Sequence, residues 1–490
     1  MFRRTKIVAT IGPASNNEQQ INALLEAGVD VFRLNFSHGD HADKAAVIDL
    51  IRALSKQHRR AVAILGDLQG PKIRAGLMKN GGIELLAGTE VYISTREILG
   101  EGNTFPTIFQ ELPGDVKPGD QILLDDGLME LKVLSSNDME VKCQVITGGL
   151  LKDRKGINLP GVAVSAPALT EKDKEDLLFC IEKKLDYVAL SFVRSATDVE
   201  KLRKILRQHQ TELKVISKIE KPEAIENFDQ ILEVSDGIMV ARGDLGVEIR
   251  PEKVPLIQKQ IIRKCNQVGK PVITATQMLE SMVNNPRPTR AETSDVANAI
   301  FDGTDAVMLS AETAAGKYPV ESVTVMSKVA RDVEQELHYS LNPLTTHCSG
   351  DLTEAIGQAA CQIANCVQAK AILAFTQTGN TAALVSKYRP GLPIYAVTPS
   401  HTVRRRLALY SGVRSIRVNI EGTTEGQIQS VEEAVLKYGV LNKDDVVVIT
   451  MGSPLSDSGT TNLIKIHRLG EQSVNSTEIK DLPQEALYPL

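Results

Sequence analysis

The chain lacks several things that would send its reading elsewhere. Its six cysteines, at positions 143, 180, 265, 348, 361 and 366, have no paired spacing. Neither a disulfide framework nor a cysteine metal site is indicated, and free thiols suit a reducing compartment. Cys361 and Cys366 read as core residues of a helix. Positive charge is not in excess: 56 Lys and Arg stand against 61 Asp and Glu, a net of −5. That gives no electrostatic case for a nucleic-acid partner. There is no long apolar run. The opening "MFRRTKIVATIGP" is basic at its start, but Gly-Pro interrupts its short apolar stretch. It is too short for a signal peptide or a membrane span, so a cytoplasmic protein with no membrane contact is expected. No low-complexity tract is evident. What is present is ordinary for a globular protein, 42% hydrophobic and 24% charged over 490 residues, which suggests roughly two or three domains.

Short apolar runs alternate with helix-period segments. "TKIVATIG" precedes "NNEQQINALLEAG", "VDVFRLNFS" precedes "HADKAAVIDLIRALSKQ", and "AVAILGDL" ends at "QGPKIR". From residue 71 to 168 the texture changes to short alternating runs split by turns such as "NGG", "KPGD" and "DDG", which reads as an all-β insertion. The βα rhythm then resumes through "DYVALSFV", "KVISKIE", "DGIMVARG", "KPVITATQM" and "TDAVMLSAE". With the first three runs this makes eight βα units, the pattern of a (β/α)8 TIM barrel. After a linker near "SLNPLTTHCSGD" a smaller α/β domain follows, with "AILAFTQTG", "PIYAVTPS", "VRSIRVN", "DVVVITMGS" and "LIKIHRL".

The stretch "KVISKIEKPEAI" is odd for a buried strand. Alternation puts Ile216, Lys218 and Glu220 on one face and Val215, Ser217 and Ile219 on the other. Barrel active sites sit at the C-terminal ends of the strands. There the second strand delivers Arg33, Asn35 and Ser37, and the third delivers Asp67, Lys72 and Arg74. The fifth delivers Lys218 and Glu220, the sixth Arg242, Gly243 and Asp244, the seventh Thr276 and Gln277, and the eighth Ser310 and Glu312. Two carboxylates, Glu220 and Asp244, suit Mg²⁺, which keeps its remaining positions for water and substrate oxygens. Arginines and a lysine beside them suit a phosphorylated substrate. Singly, each has a plainer reading. Lys218 with Glu220 could be an ion pair capping the barrel, and Arg33 a surface salt bridge. Asn35 and Ser37 could be turn residues, Gly243–Asp244 a structural turn, and Thr276 a core threonine. Convergence on one barrel end favours chemistry. Asp125 and Asp126, in "LLDDG", read as turn formers.

"TKIVATIGPAS", "FRLNFSHGD", "LGDLQGPKIR", "GINLPGV", "VISKIEKPEAI", "GIMVARGDLGVEI", "ITATQMLESM", "RPTRAETSDVANAIFDGTDAVMLSAETA" and "SGTTN" together resemble the pyruvate kinase family, in that family's order and in a bacterial style. The resemblance implies a catalytic barrel A domain at 1–70 and 169–340 and an inserted β-barrel lid, the B domain, at 71–168. It also implies an effector-binding α/β C domain at 350–470 and a short tail at 471–490. Some bacterial members carry a further phosphohistidine-type domain, for which that tail is too short. The implied reaction is phosphoenolpyruvate with MgADP giving pyruvate and MgATP, the last step of glycolysis. By resemblance Lys218 contacts the transferring phosphoryl group, Glu220 and Asp244 bind Mg²⁺ or Mn²⁺, and Arg33 and Arg74 add positive charge. Gly243 and Asp244 cradle the substrate carboxylate, and Thr276 lies near the proton path to the enolate.

Many relatives carry Glu where this chain has Lys72, and bind K⁺ against positions matching Asn35, Ser37, Asp67 and Leu68. Lys72 in its place implies K⁺-independent activity, since a tethered ammonium supplies the charge. The plainer alternative has Lys72 in solvent and K⁺ bound. The loop Thr376, Thr378, Gly379, Asn380, Thr381 resembles the family's site for a phosphorylated allosteric effector, with "MGSPLSDSGTTN" as another wall; by itself it reads as a helix start. A homotetramer is the family expectation. Two rival readings remain: another Mg²⁺-dependent barrel enzyme acting on phosphoenolpyruvate or a 2-keto acid, and an inactive metabolite-binding relative.

Overall fold

The computed structural model describes residues 2–162, 164–336, 351–419, 423–452 and 461–471. Nearly all of the expected linker and of the tail lies outside these residues. The first three strands, β1 (Lys6–Ile11), β2 (Val31–Asn35) and β3 (Ala63–Asp67), are joined by helices. The first helix, Glu18–Ala27, illustrates the local logic. Asn17 caps it by accepting from the Gln20 N–H, Ile21, Leu24 and Leu25 form its buried stripe, and Gly28 ends it at φ 114°. Only glycine adopts that conformation freely.

Eight strands follow β3 in the insertion: β4 (Gly82–Leu85), β5 (Glu90–Ser94), β6 (Thr104–Pro106), β7 (Gln121–Leu124), β8 (Met129–Ser136), β9 (Glu140–Thr147), β10 (Gly149–Lys152) and β11 (Ile157–Asn158). They form a six-stranded sheet, β11-β7-β8-β9-β5-β6, and a ribbon of β10 with β4. The inserted β-barrel expected from the family is therefore two ladders around one shared core rather than a closed ring. The chain then returns to the barrel with β12 (Tyr187–Leu190), β13 (Lys214–Ile219), β14 (Gly237–Ala241), β15 (Val272–Ala275) and β16 (Ala306–Leu309). These five close with β1–β3 into an eight-stranded parallel barrel. The C-terminal domain holds β17 (Ala371–Phe375), β18 (Ile394–Thr398), β19 (Val413–Arg417), β20 (Val446–Met451) and β21 (Leu463–Arg468), ordered β19-β18-β17-β20-β21 with only β21 antiparallel. Cys361 is buried in the helix Leu352–Cys366 as expected, but Cys366 is exposed at its last turn. Among the described residues no helix is long and apolar enough to cross a membrane.

Alternation divides the barrel strands between two cores. Val215 and Ile219 pack outward with the helices. Val8, Val31, Leu65, Ala189, Ile216, Met239, Ile273 and Met308 pack together inside. Leu409 of the C-terminal domain joins that inner cluster, so this domain plugs the barrel floor. Contacts just ahead of the strands hold it there. Arg405 Nε pairs with Asp186 Oδ1 at 2.7 Å, Arg389 Nη1 with Asp305 Oδ1 at 2.8 Å, and the Tyr187 hydroxyl donates to the Arg406 carbonyl at 2.7 Å.

Lys6 Nζ donates to the Val413 carbonyl at 2.6 Å across the same joint. Burial pulls its pKa down to about 8, against the attraction of Asp30. Between that value and the ordinary 10.5, the unfolded chain holds a proton that the folded chain has lost. Lys6 therefore adds stability as pH rises through this window. We expect wild type to gain stability relative to Lys6→Met between about pH 8 and pH 10. Urea unfolding at several pH values measures it, and parallel curves would refute the assignment.

Candidate active site

One step beyond the inner cluster, the strands present a polar layer at their C-terminal ends. Thr10 follows Val8 on the inward face, Arg33 follows Val31, Asp67 follows Leu65, Ser191 follows Ala189, and Lys218 follows Ile216. Lys218 Nζ lies 2.9 Å from Glu220 Oε1 and 3.3 Å from Asp67 Oδ1, and it donates to Ser191 Oγ at 2.8 Å. Asp67 Oδ2 also accepts from Arg33 Nε at 2.6 Å, and Arg33 Nη1 donates to Thr10 Oγ1 at 3.0 Å. Ser191 in turn donates to the Leu68 carbonyl at 2.7 Å.

Burial dominates the electrostatics, and the partners decide which way each group moves. Burial alone would drive the Lys218 proton off, but Asp67 and Glu220 together raise its pKa above the ordinary lysine value. Burial opposes the charge on Asp67, yet Lys218 and Arg33 outweigh it and hold the carboxyl below its usual range. Glu220 goes the other way. Burial raises its pKa, Lys218 offsets this only in part, and Asp244 adds to it. Its Oε2 accepts from the Phe192 N–H at 2.8 Å, while Oε1 is buried without a hydrogen-bond partner despite its closeness to Lys218. Lys218 offsets the buried charge only in part, so a further cation would be favoured here. With Asp244, Glu220 offers a hard, all-oxygen pair that fits Mg²⁺ completed by substrate and water oxygens. Among the described residues no group of three or more His, Cys, Asp or Glu forms an all-protein metal cage.

Asp244 sits in the short helix Arg242–Glu248. The Gly243 N–H donates to Thr276 Oγ1 at 2.7 Å, which joins the sixth and seventh strand ends. Thr276 and Gln277 both have left-handed backbones, φ 67° and 54°, and for a β-branched residue this is strained. Arg242 holds the strained turn. It donates to the Thr276 carbonyl at 2.7 Å and pairs with Asp295 at 2.7 Å. It is thus a clamp beneath the site. Glu312 is also structural, accepting from the Ser310 and Leu279 N–H groups at 2.7 and 3.1 Å.

The remaining expected residues are dispersed. Arg74 donates to the Arg154 carbonyl at 3.0 Å and makes no ion pair among the described residues. Asn35 Oδ1 caps the Ser37 N–H at 3.0 Å. Lys72 Nζ is 3.7 Å from Asp126 Oδ1 and 3.8 Å from Asp244 Oδ1; among the described residues it makes no ion pair with Asp67 of the expected monovalent-cation pocket at Asn35, Ser37, Asp67 and Leu68. Asp125 and Asp126 do form a turn, at φ 52° and 54°. Asp126 does more than turn the chain, because it lies beside Lys72, which in turn faces Asp244 of the barrel. In the C-terminal domain Thr376 Oγ1 accepts from the Gly379 N–H at 2.8 Å, and Thr381 Oγ1 meets Thr461 Oγ1 at 3.0 Å. Thr378 is exposed and Asn380 begins the helix Asn380–Lys387. Residues 453–460 of the expected second wall lie outside the described residues.

Sequence reasoning passed over Thr10, Ser191 and Asp126. Carrying the two-residue period one step past each apolar strand residue would have found the first two. Nothing local marks Asp126 beyond its turn. We expect Asp67→Asn to cost about 3–5 kcal/mol, because it leaves the buried Lys218 and Arg33 short of a counter-charge. The contribution of Asp67 is complete above the ordinary carboxylate range and fades as pH falls toward its lowered value. Urea unfolding at neutral and acid pH reads both, and a variant as stable as wild type at neutral pH would contradict it.

The family model described as pyruvate kinase, barrel domain, matches residues 2–323, and that described as pyruvate kinase, alpha/beta domain, matches 354–467. A pyruvate kinase from Sporosarcina psychrophila is 50% identical over 477 residues, 96% of this chain and 81% of that protein. One from Staphylococcus aureus strain MRSA252 is 48% identical over 482 residues, 98% of this chain and 82% of that protein. A crystal structure of a pyruvate kinase from Cryptosporidium parvum superimposes with a TM-score of 0.89 at 40% identity, covering 95% of this chain and 96% of the other.

Proposed function

The chain belongs to the pyruvate kinase family, and we propose how its residues divide the work of moving a phosphoryl group from phosphoenolpyruvate to ADP. The observation that carries the reading is the buried Lys218 ammonium 2.9 Å from Glu220 Oε1, with Asp244 near enough to oppose the charge on Glu220. Phosphoryl transfer demands positioning and positive charge more than covalent help. Lys218 meets the transferring group, kept protonated by Asp67 and Glu220. Arg33, oriented by Asp67 and Thr10, supplies a second charge. Arg74 joins once the insertion shifts and frees it from the Arg154 carbonyl. Glu220 and Asp244 hold Mg²⁺ or Mn²⁺, which when bound supplies Lewis acidity to substrate oxygens. The Gly243–Asp244 backbone receives the substrate carboxylate, and Thr276 lies on the proton path to the enolate through water, since an unaided hydroxyl is a poor acid. The insertion acts as a lid that excludes water.

K⁺ is not required in this reading. Asp67 is already neutralised by Lys218 and Arg33, and Lys72 brings a further tethered charge beside Asp244. The loop Thr376–Thr381 binds a phosphorylated effector, the enzyme is a homotetramer, and it works in the cytoplasm.

Lys218→Met should lower ATP formation from phosphoenolpyruvate and ADP by on the order of 10²–10³-fold or more. It should still support hydrogen exchange at the methyl group of added pyruvate. Retention of full ATP formation would remove Lys218 from the transfer step. Wild-type activity with Mg²⁺ should be equal in buffer free of K⁺ and NH₄⁺ and after K⁺ is restored. Activity only with K⁺ would keep the kinase and sink the role given to Lys72.

A further inference from the structure

Glu248 takes no part in the proposed chemistry, yet its carboxylate ties together three segments that do. It ends the short helix Arg242–Glu248, one turn after Asp244, and its side chain is only 1% exposed. Glu248 Oε1 accepts from Lys221 Nζ at 2.6 Å and from Asn158 Nδ2 at 2.9 Å. Lys221 directly follows Glu220, and its ammonium lies 6.0 Å from the centre of the Phe192 ring, whose backbone N–H holds Glu220 Oε2. Asn158 is buried and ends β11, the last strand of the insertion, where it pairs with Leu123 of β7. The Asp125 N–H, just past β7, donates to the Gly156 carbonyl at 3.0 Å. Strand β11 and the Asp125–Gly127 turn are therefore one piece, and Asn158 fastens that piece to Glu248.

The same helix meets the insertion elsewhere, but more loosely. A Cβ at Gly127 would lie 3.8 Å from Val247 Cγ1, and Lys72 stands 3.7 Å from Asp126 and 3.8 Å from Asp244. Asp126 is largely exposed, and an exposed pair of that length contributes little. The Asn158–Glu248 bond is short, buried and charge-assisted, a kind roughly twice as strong as a neutral one. We propose that Glu248 is a positioning residue for the metal pair. By holding Asn158 it fixes the Asp244 helix against the insertion, so that metal binding and docking of the insertion favour each other. Coupling of this sort is reciprocal: what metal does for the insertion, the anchored insertion does for metal affinity. The inference rests on the reading of Glu220 and Asp244 as the metal pair and of the insertion as a lid.

The test titrates Mn²⁺ alone into the full chain by electron paramagnetic resonance. It also follows amide hydrogen exchange over residues 121–128 by mass spectrometry, with and without Mg²⁺. Asn158→Leu is the main variant, because it removes the bond and leaves the local charge unaltered. It should weaken Mn²⁺ binding about fivefold with an unchanged circular dichroism spectrum. Glu248→Leu should weaken it as well, and adding Asn158→Leu to Glu248→Leu should weaken it no further, since both changes break one link. In wild type Mg²⁺ should slow exchange over 121–128, and in Asn158→Leu it should not. A merely structural bond would change protection equally with and without metal. Four results would overturn the proposal: equal Mn²⁺ affinity in folded Asn158→Leu, additive losses in the double variant, Mg²⁺ protection retained in Asn158→Leu, or no Mg²⁺ protection in wild type. The last needs no variant to fold. A wild type without a tight Mn²⁺ site, or with one indifferent to Glu220→Gln, would strike the metal reading itself and take this inference with it. A tight site lost in Glu220→Gln keeps that reading, whichever way Glu248 falls.

Discussion

Lys218 is an ammonium buried at the mouth of a closed barrel. It reaches from β13 past Ser191, which follows β12, to Asp67 at the end of β3. Neighbouring strands lie roughly 4.8 Å apart, so an extended lysine can span that distance only if the strands are adjacent in this order. Burying the charge unpaired would cost several kcal/mol, on the order of the penalty for any isolated ion in a protein interior. Two carboxylates offset it, and one of them, Asp67, is shared with Arg33. The result is a fixed array of charge at the barrel mouth. In the proposed reaction, preorganisation of this kind would spare the work of reorienting dipoles.

Lys218 offsets the buried charge of Glu220 only in part, and Asp244 stands in the short helix Arg242–Glu248 beside the strained turn at Thr276 and Gln277. Arg242 and the bond from the Gly243 N–H to Thr276 keep that turn from relaxing. Strain concentrated beside a site fits a scaffold that holds groups where free chain would not leave them. Lys72 and Asp126 extend the charge network from this corner into the insertion. The barrel mouth and the covering domain are thus electrostatically linked as well as covalently joined.

The other end of the barrel is closed by a different domain. Leu409 completes the inner apolar cluster, and ion pairs at Asp186 and Asp305 fasten the C-terminal domain beneath it. A Cβ at Gly379 would lie 3.4 Å from Val403 and 3.5 Å from Leu407. The loop with the phosphate-binding pattern therefore packs directly on the segment that plugs the floor. Close-packed interiors transmit displacement, so this is a short physical route between the two domains.

Much of this was written locally in the chain. Strand and helix identities, the insertion after β3 and the inward parity of Ile216, Lys218 and Glu220 all follow from residue patterns a few positions long, because side-chain periodicity is a local property. The family motifs added the expected roles of Glu220, Asp244 and Thr276. Tertiary structure alone decided the partners. It set Asp67 beside Lys218, turned Arg242 into a clamp, brought Asp126 to Lys72 and sealed the barrel floor with Leu409. Those contacts join segments far apart in sequence, and they exist only once the barrel has closed and the domains have docked. No local pattern records which distant charge a buried lysine will meet. That is settled by which strands become neighbours.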